Sequence, residues 1–144
     1  MKLSTRPALP IAGLAVIMAA LSSTAAAQTA LSEEISASKG YELIESTDAI
    51  LVDVRTPMEW RQTGIPAGAQ TITLQDEDFI DQVEGLADGD KEAPVAFIFR
   101  SGTRSAKTRD RLQAEGFTNV TSVAGGMSGK AGWIAEDLPV QPWP

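Results

Sequence analysis

The sequence predicts one α/β domain, a mainly parallel sheet with helices on both faces. Two observations carry that prediction. Residues 50–54 (ILVDV) and 95–99 (VAFIF) are short runs dominated by apolar residues, the pattern of parallel strands buried on both sides. Segments with helix start and stop signals alternate with them, and strands that alternate with helices form a sheet layered between helices.

Each element follows in chain order. Residues 37–45 carry Tyr41, Leu43 and Ile44 and predict a short helix, capped by Ser36 or Ser38 and broken at Ser46-Thr47-Asp48. After the 50–54 strand, Thr56-Pro57-Met58-Glu59 starts a second helix. Thr56 is the cap, Pro57 the first helical residue and Glu59 the third, a capping box. Residues 64–68 read as an irregular loop and 71–74 as a brief strand. A helix is expected from Asp76, with Phe79, Ile80 and Val83 on one face; residues 86–93 form a polar connector around Asp88-Gly89-Asp90. The 95–99 strand leads through a loop to a helix over 104–115, stopped by Gly116. A strand over 117–123, a tight turn at Gly125-Gly126 and a short helix near Trp133 and Ile134 follow, and Leu138-Pro139-Val140 ends the domain.

Residues 1–27 stand apart. Lys2 and Arg6 give a basic start, Ile11 to Leu21 is an apolar run too short for a mature membrane span, and Ala25-Ala26-Ala27 ends it in small residues. That order predicts a secretory signal peptide cut before Gln28. Residues 28–144 then form the domain, periplasmic or secreted, with no membrane contact after cleavage. No cysteine follows the apolar run and no paired arginines precede it, so neither a lipid anchor nor the twin-arginine route is expected.

Composition excludes several functions. Without Lys2 and Arg6 the formal charge of −7 becomes about −9, which repels nucleic-acid backbones and anionic lipid, so neither is expected as a partner. The chain has no cysteine and no histidine. It therefore lacks disulfides, a thiolate nucleophile, thiolate metal sites and the usual neutral-pH general base. No cofactor and no metal are expected. Asp76, Glu77 and Asp78 match no calcium-loop spacing and read as a helix start.

The most informative stretch follows the 95–99 strand. Arg100, Ser101, Gly102, Thr103, Arg104 and Ser105 form a short basic loop that opens directly into a helix. Such a layout lets backbone N–H groups and a helix N-terminus converge on one point, an anion-binding cradle. On an acidic protein, Arg100 and Arg104 make a local basic spot. Read from composition alone, Phe99 is ordinary strand content. Asp53 and Arg55 read as a pair, or as caps on loop amides beside the cradle. Trp60 and Trp133 read as packing residues.

These segments resemble the rhodanese-like domain family, over nearly all of residues 28–144. Leu51-Val52-Asp53-Val54-Arg55 with Glu59-Trp60 is similar to the family's Asp-Val-Arg signature. Gly64-Ile65-Pro66-Ala67-Gly68-Ala69 resembles its Gly-His-Ile-Pro-Gly-Ala segment, without the histidine and with altered spacing. Phe99 to Ser105 resembles the active loop Cys-Arg-Ser-Gly-x-Arg-Ser. Gly116 to Val120 resembles the approach to the last strand, and Gly125-Gly126-Met127, Trp133 and Leu138-Pro139-Val140 resemble the closing pattern.

The resemblance implies a specific chemistry and its loss. In the family the loop cysteine, held as thiolate, takes sulfur from a donor as a persulfide and passes it to a thiophilic acceptor. Phe99 stands at that position here and offers no lone pair. Ser101, Thr103 and Ser105 have no histidine to take their proton. The expected function is a rhodanese-like domain inactive as a sulfurtransferase, binding a small anion or a protein partner at the 100–105 loop, with Asp53 and Arg55 in support. The alternative is a related enzyme with residual or partner-assisted sulfur transfer. A third reading is a structural module whose cradle Phe99 blocks. Sequence leaves open whether that ring points into the cradle or into the core.

Overall fold

The computed structural model describes residues 31–101 and 105–144. The expected leader, and Gly102, Thr103 and Arg104 in the basic loop, lie outside the described residues. The chain runs β1 (Glu34–Ile35), α1 (Ala37–Ser46), β2 (Ile50–Asp53), α2 (Pro57–Thr63), β3 (Ile65–Pro66) and β4 (Gln70–Thr71). It continues with α3 (Phe79–Leu86), β5 (Val95–Ile98), α4 (Ser105–Ala114), β6 (Val120–Val123) and β7 (Val140–Gln141).

Five strands form one sheet in the order β1-β6-β5-β2-β4, and every neighbouring pair is parallel. Strand side chains alternate between faces, and here each face has its own cover. Val52, Val54, Val95, Phe97 and Phe99 pack on one side with Phe79 and Val83 of α3 and Leu112 of α4. Leu51, Ala96 and Ile98 pack on the other with Ala37 of α1, Met127 and Trp133, and Tyr41 and Ile44 close over them. Helices on both faces of a parallel sheet are what the two apolar runs predict. Each large apolar side chain removed from water contributes about 1.5–3 kcal/mol, so both clusters stabilise the sheet.

The helix starts follow their capping residues. Ser36 Oγ accepts from the Lys39 amide at 3.1 Å. At α2 the capping box is complete: Thr56 Oγ1 accepts from the Glu59 amide at 3.4 Å, and Glu59 Oε2 accepts from the Thr56 amide at 3.0 Å.

Several boundaries differ from the sequence expectation. α3 starts at Phe79 and not at Asp76, because residues 76–79 close a tight turn in which the Phe79 amide bonds to the Asp76 carbonyl at 3.2 Å. Asp78 caps nothing with its side chain; its Oδ1 accepts from Gln82 Nε2 at 2.7 Å. The strand expected at 71–74 is assigned to Gln70–Thr71. Hydrogen bonds from Ile72 to Asp53 O and from Leu74 to Val54 O nevertheless carry the chain on beside β2. The loop at 64–68 contains β3, which pairs antiparallel with β7. So 138–140 is not merely a chain end: β7 sits there, and its tail brings Trp143 to 5.0 Å from Trp60 with Arg61 above it.

β1 is an added edge strand. β6 starts at Val120, since Phe117 instead closes α4 through its bond to Leu112 O at 3.1 Å. No helix forms near Trp133. Residues 124–137 make consecutive turns in which backbone lies against backbone: a Cβ on Gly132 would sit 2.6 Å from both Gly125 O and Gly126 O.

Candidate functional site

A cavity of about 470 Å³ opens beyond the carboxyl ends of β2 and β5, where parallel α/β sheets commonly bind ligands. Its lining includes the buried Val54, Arg55 and Phe99 and the half-buried Leu74. Thr56 and Glu59, from the start of α2, and Gln75 also line it. Arg100 and Ser101, both exposed, complete the lining.

Phe99 sits one residue past the end of β5, and its parity along the strand puts it on the α3/α4 face. It is 5% exposed and belongs to the cluster containing Val54, Ile72 and Phe97. It also borders the cavity. Phe99 therefore packs into the core and also lines the cavity.

The entry to the basic loop, Phe99 and Arg100, is held from behind. Phe99 O accepts from the Met127 amide at 2.7 Å, and Arg100 O accepts from the Ser128 amide at 3.0 Å. Gly126 allows this approach. A Cβ there would overlap Phe99 O and lie 2.8 Å from both Arg100 C and Ser101 N. Its φ of +56° also favours glycine. The sequence marks Gly125-Gly126 as a turn but gives no sign that the turn backs the loop.

Asp53 and Arg55 form a fully buried ion pair, with side-chain exposures of 0% and 2%. Arg55 Nε donates to Asp53 Oδ1 at 2.9 Å and Nη2 to Oδ2 at 2.7 Å. Nη1 reaches Thr63 Oγ1 at 2.8 Å, and Nη2 also reaches Gly64 O at 2.9 Å. The guanidinium is thus taken up in tying the end of β2 to the end of α2. Arg55 borders the cavity, but this cation is already neutralised by Asp53.

Arg100 differs. It has no ion pair among the described residues and is exposed in the cavity lining. Ser105 begins α4; Gly102, Thr103 and Arg104 lie outside the described residues. Sequence reasoning read Thr56 and Glu59 only as caps and gave Leu74 and Gln75 no role. Their position follows from the parallel pairing of β2 with β4, which brings the chain after β4 beside the end of β2. Among the described residues no group of three or more His, Cys, Asp or Glu could hold a metal.

Comparison with known proteins places this geometry. Residues 36–132 match the family model for the rhodanese-like domain. An uncharacterised protein of Rickettsia conorii is 33% identical over 119 residues, covering 76% of this chain and 97% of its own. The thiosulfate sulfurtransferase GlpE of Glaesserella parasuis is 30% identical over 109 residues, 75% of this chain and 92% of its own. Among solved structures, the polysulfide-sulfur transferase homodimer of Wolinella succinogenes superposes with a TM-score of 0.59 at 26% identity, covering 76% of this chain and 78% of that one. A protein of M. tuberculosis superposes at 0.63 with 25% identity, covering 79% and 100%.

Proposed function

The chain belongs to the rhodanese-like domain family, and from that premise we propose that it is an exported member without sulfur-transfer activity, binding a small anion, or an anionic group of a protein partner, at the 100–105 loop. One observation carries the proposal. The residue at the expected nucleophile position is Phe99, packed in the core, and the chain holds no cysteine that could replace it. A persulfide needs a sulfur nucleophile, and no serine or threonine side chain carries transferable sulfur.

What remains at the site supports binding. Arg100 and Ser101 line a cavity that opens where the sheet's strands end. The loop carbonyls of Phe99 and Arg100 are tied to the 127–128 turn, which fixes the backbone before any ligand arrives. Holding Phe99 and Arg100 in place avoids part of the ordering cost of binding.

Incubation of the purified chain with thiosulfate and cyanide is expected to give no thiocyanate above a protein-free blank. Titration with sodium sulfate, followed by amide NMR, is expected to shift Arg100 and Ser101 first. Saturable thiocyanate formation would instead favour the related-enzyme reading, which the sulfurtransferases among the relatives keep in view. An unmoved spectrum would favour the purely structural one.

A further inference from the structure

We propose that the chain pairs with a second copy of itself through the outer edge of β7. The starting observation is a residue whose backbone lacks partners. β3 and β7 form a ribbon of only two strands, with Pro66 opposite Val140. One step along, the Ala67 amide bonds to Pro139 O at 3.0 Å. Bonded and non-bonded pairs alternate along an antiparallel ladder. Pro66 and Val140 are therefore a non-bonded pair, and Val140 turns its N–H and C=O away from β3. Val140 is 42% exposed, and no described residue bonds to its backbone. On the ribbon's other side Pro66 has no N–H to offer, and β3 is buried. The edge of β7 is thus the usable one, and an exposed edge of this kind can recruit another strand.

That edge is self-complementary. An antiparallel copy, with Val140 on the two-fold axis, would receive one bond at this residue and return the other, as an isologous contact requires. Pro142 has no N–H, which confines the pairing to the neighbourhood of Val140. The edges left outside are those of β3, buried and carrying Pro66, so the assembly stops at two copies.

The charges around the edge agree with this register. Arg61, Val140 and Trp143 line one cavity of about 320 Å³, and the Arg61 guanidinium lies 5.1 Å from the centre of the Trp143 ring. Arg61 and Asp137 are both exposed, and neither has an ion pair among the described residues. Asp137 and Trp143 each lie three residues from Val140, on opposite sides of it. Antiparallel pairing about Val140 therefore sets Asp137 of one chain against Trp143 of the other, and so toward Arg61, twice by symmetry. A guanidinium held over a ring keeps its in-plane N–H groups for a carboxylate. Ile134, also 42% exposed, adds apolar surface to the same segment.

Sedimentation velocity of the full chain tests the proposal. A contact this small is weak, so dimers are expected with a Kd of roughly 10–100 μM. Exchange of the Val140 amide with solvent is expected to slow as they form. Arg61→Glu and Asp137→Lys each place like charges in contact and should weaken self-association at least about tenfold. An equimolar mixture of the two variants should recover most of it, because the mixed dimer holds one Arg–Asp and one Glu–Lys pair. Asp137 has a φ of +53°, which asparagine also tolerates, so Asp137→Asn gives the same reading, with a smaller loss, should the lysine variant unfold. A chain that stays monomeric up to about 1 mM would overturn the proposal and leave the edge to a segment of another protein. A dimer that no charge variant weakens would overturn it, as would weakened variants that the mixture does not restore. A Val140 amide that exchanges equally fast in monomer and dimer would also overturn it.

Discussion

Phe99 couples the site to the core, because it belongs to the cluster that holds Val54 and Ile72 and also borders the cavity. Phe99→Cys tests both roles. Replacing a buried ring with a small side chain is expected to cost about 2–4 kcal/mol by loss of packing and creation of a cavity, read by urea denaturation. The new thiol would lie beside Arg100 and ahead of α4, which favours a thiolate. Treatment with thiosulfate is expected to add one sulfur atom to part of the protein, read by intact-mass spectrometry. A folded variant that takes up no sulfur would confine the family likeness to the fold. The Asp53–Arg55 pair makes a second residue-scale case. Asp53→Ala strands a buried guanidinium and is expected to cost about 3–5 kcal/mol. Replacing both residues with apolar ones of similar size should recover most of that loss, since the pair's desolvation cost goes with it. The same denaturation curves decide.

Among the elements, the turn at Gly126 has the most leverage over the site, although it contributes no side chain to it. Gly126→Ala places a methyl group against the backbone of residues 99–101 at a positive φ. It is expected to destabilise by more than ~1 kcal/mol and to move the amide signals of Arg100 and Ser101. Thr56→Ala, which removes half of the capping box of α2, should cost about 1 kcal/mol with a smaller effect on those signals. The elements also divide cleanly by what the sequence reveals about them. α1, β2, α2 and β5 carry their causes locally: Ser36, Thr56-Pro57 and the apolar runs specify them without reference to the rest of the chain. β1, β3 and β7 do not. Each has two residues and exists because a distant strand supplies its hydrogen bonds, so no local pattern announces it. Trp133 misled for a related reason. Its surroundings suggested a helix, yet the close backbone packing of Gly125, Gly126 and Gly132 imposes turns. The cavity was half legible. Arg100 and Ser101 follow from a strand–loop–helix pattern, whereas Leu74 and Gln75 arrive through sheet pairing.

For the whole molecule, the N-terminal prediction belongs to transport. The basic start, short apolar run and alanine end of residues 1–27 lead us to expect an exported protein beginning at Gln28. Mass spectrometry of the protein recovered outside the cytoplasm checks this, and a full-length chain confined to the cytoplasm would refute it. Among the described residues, no helix is long and apolar enough to cross a membrane. The sheet adds a consequence about time. Its strands are all parallel, so none closes as a hairpin with its immediate successor, and β1 docks through Glu34 opposite Ser122 and Ile35 opposite Val123. Closing so long an interval costs chain entropy before the contact returns anything, which places such topologies among the slower-folding small domains. During synthesis the first strand emerges early and stays idle until the sixth has been made. The segment that opens with β1 is therefore expected to be the last to join the sheet.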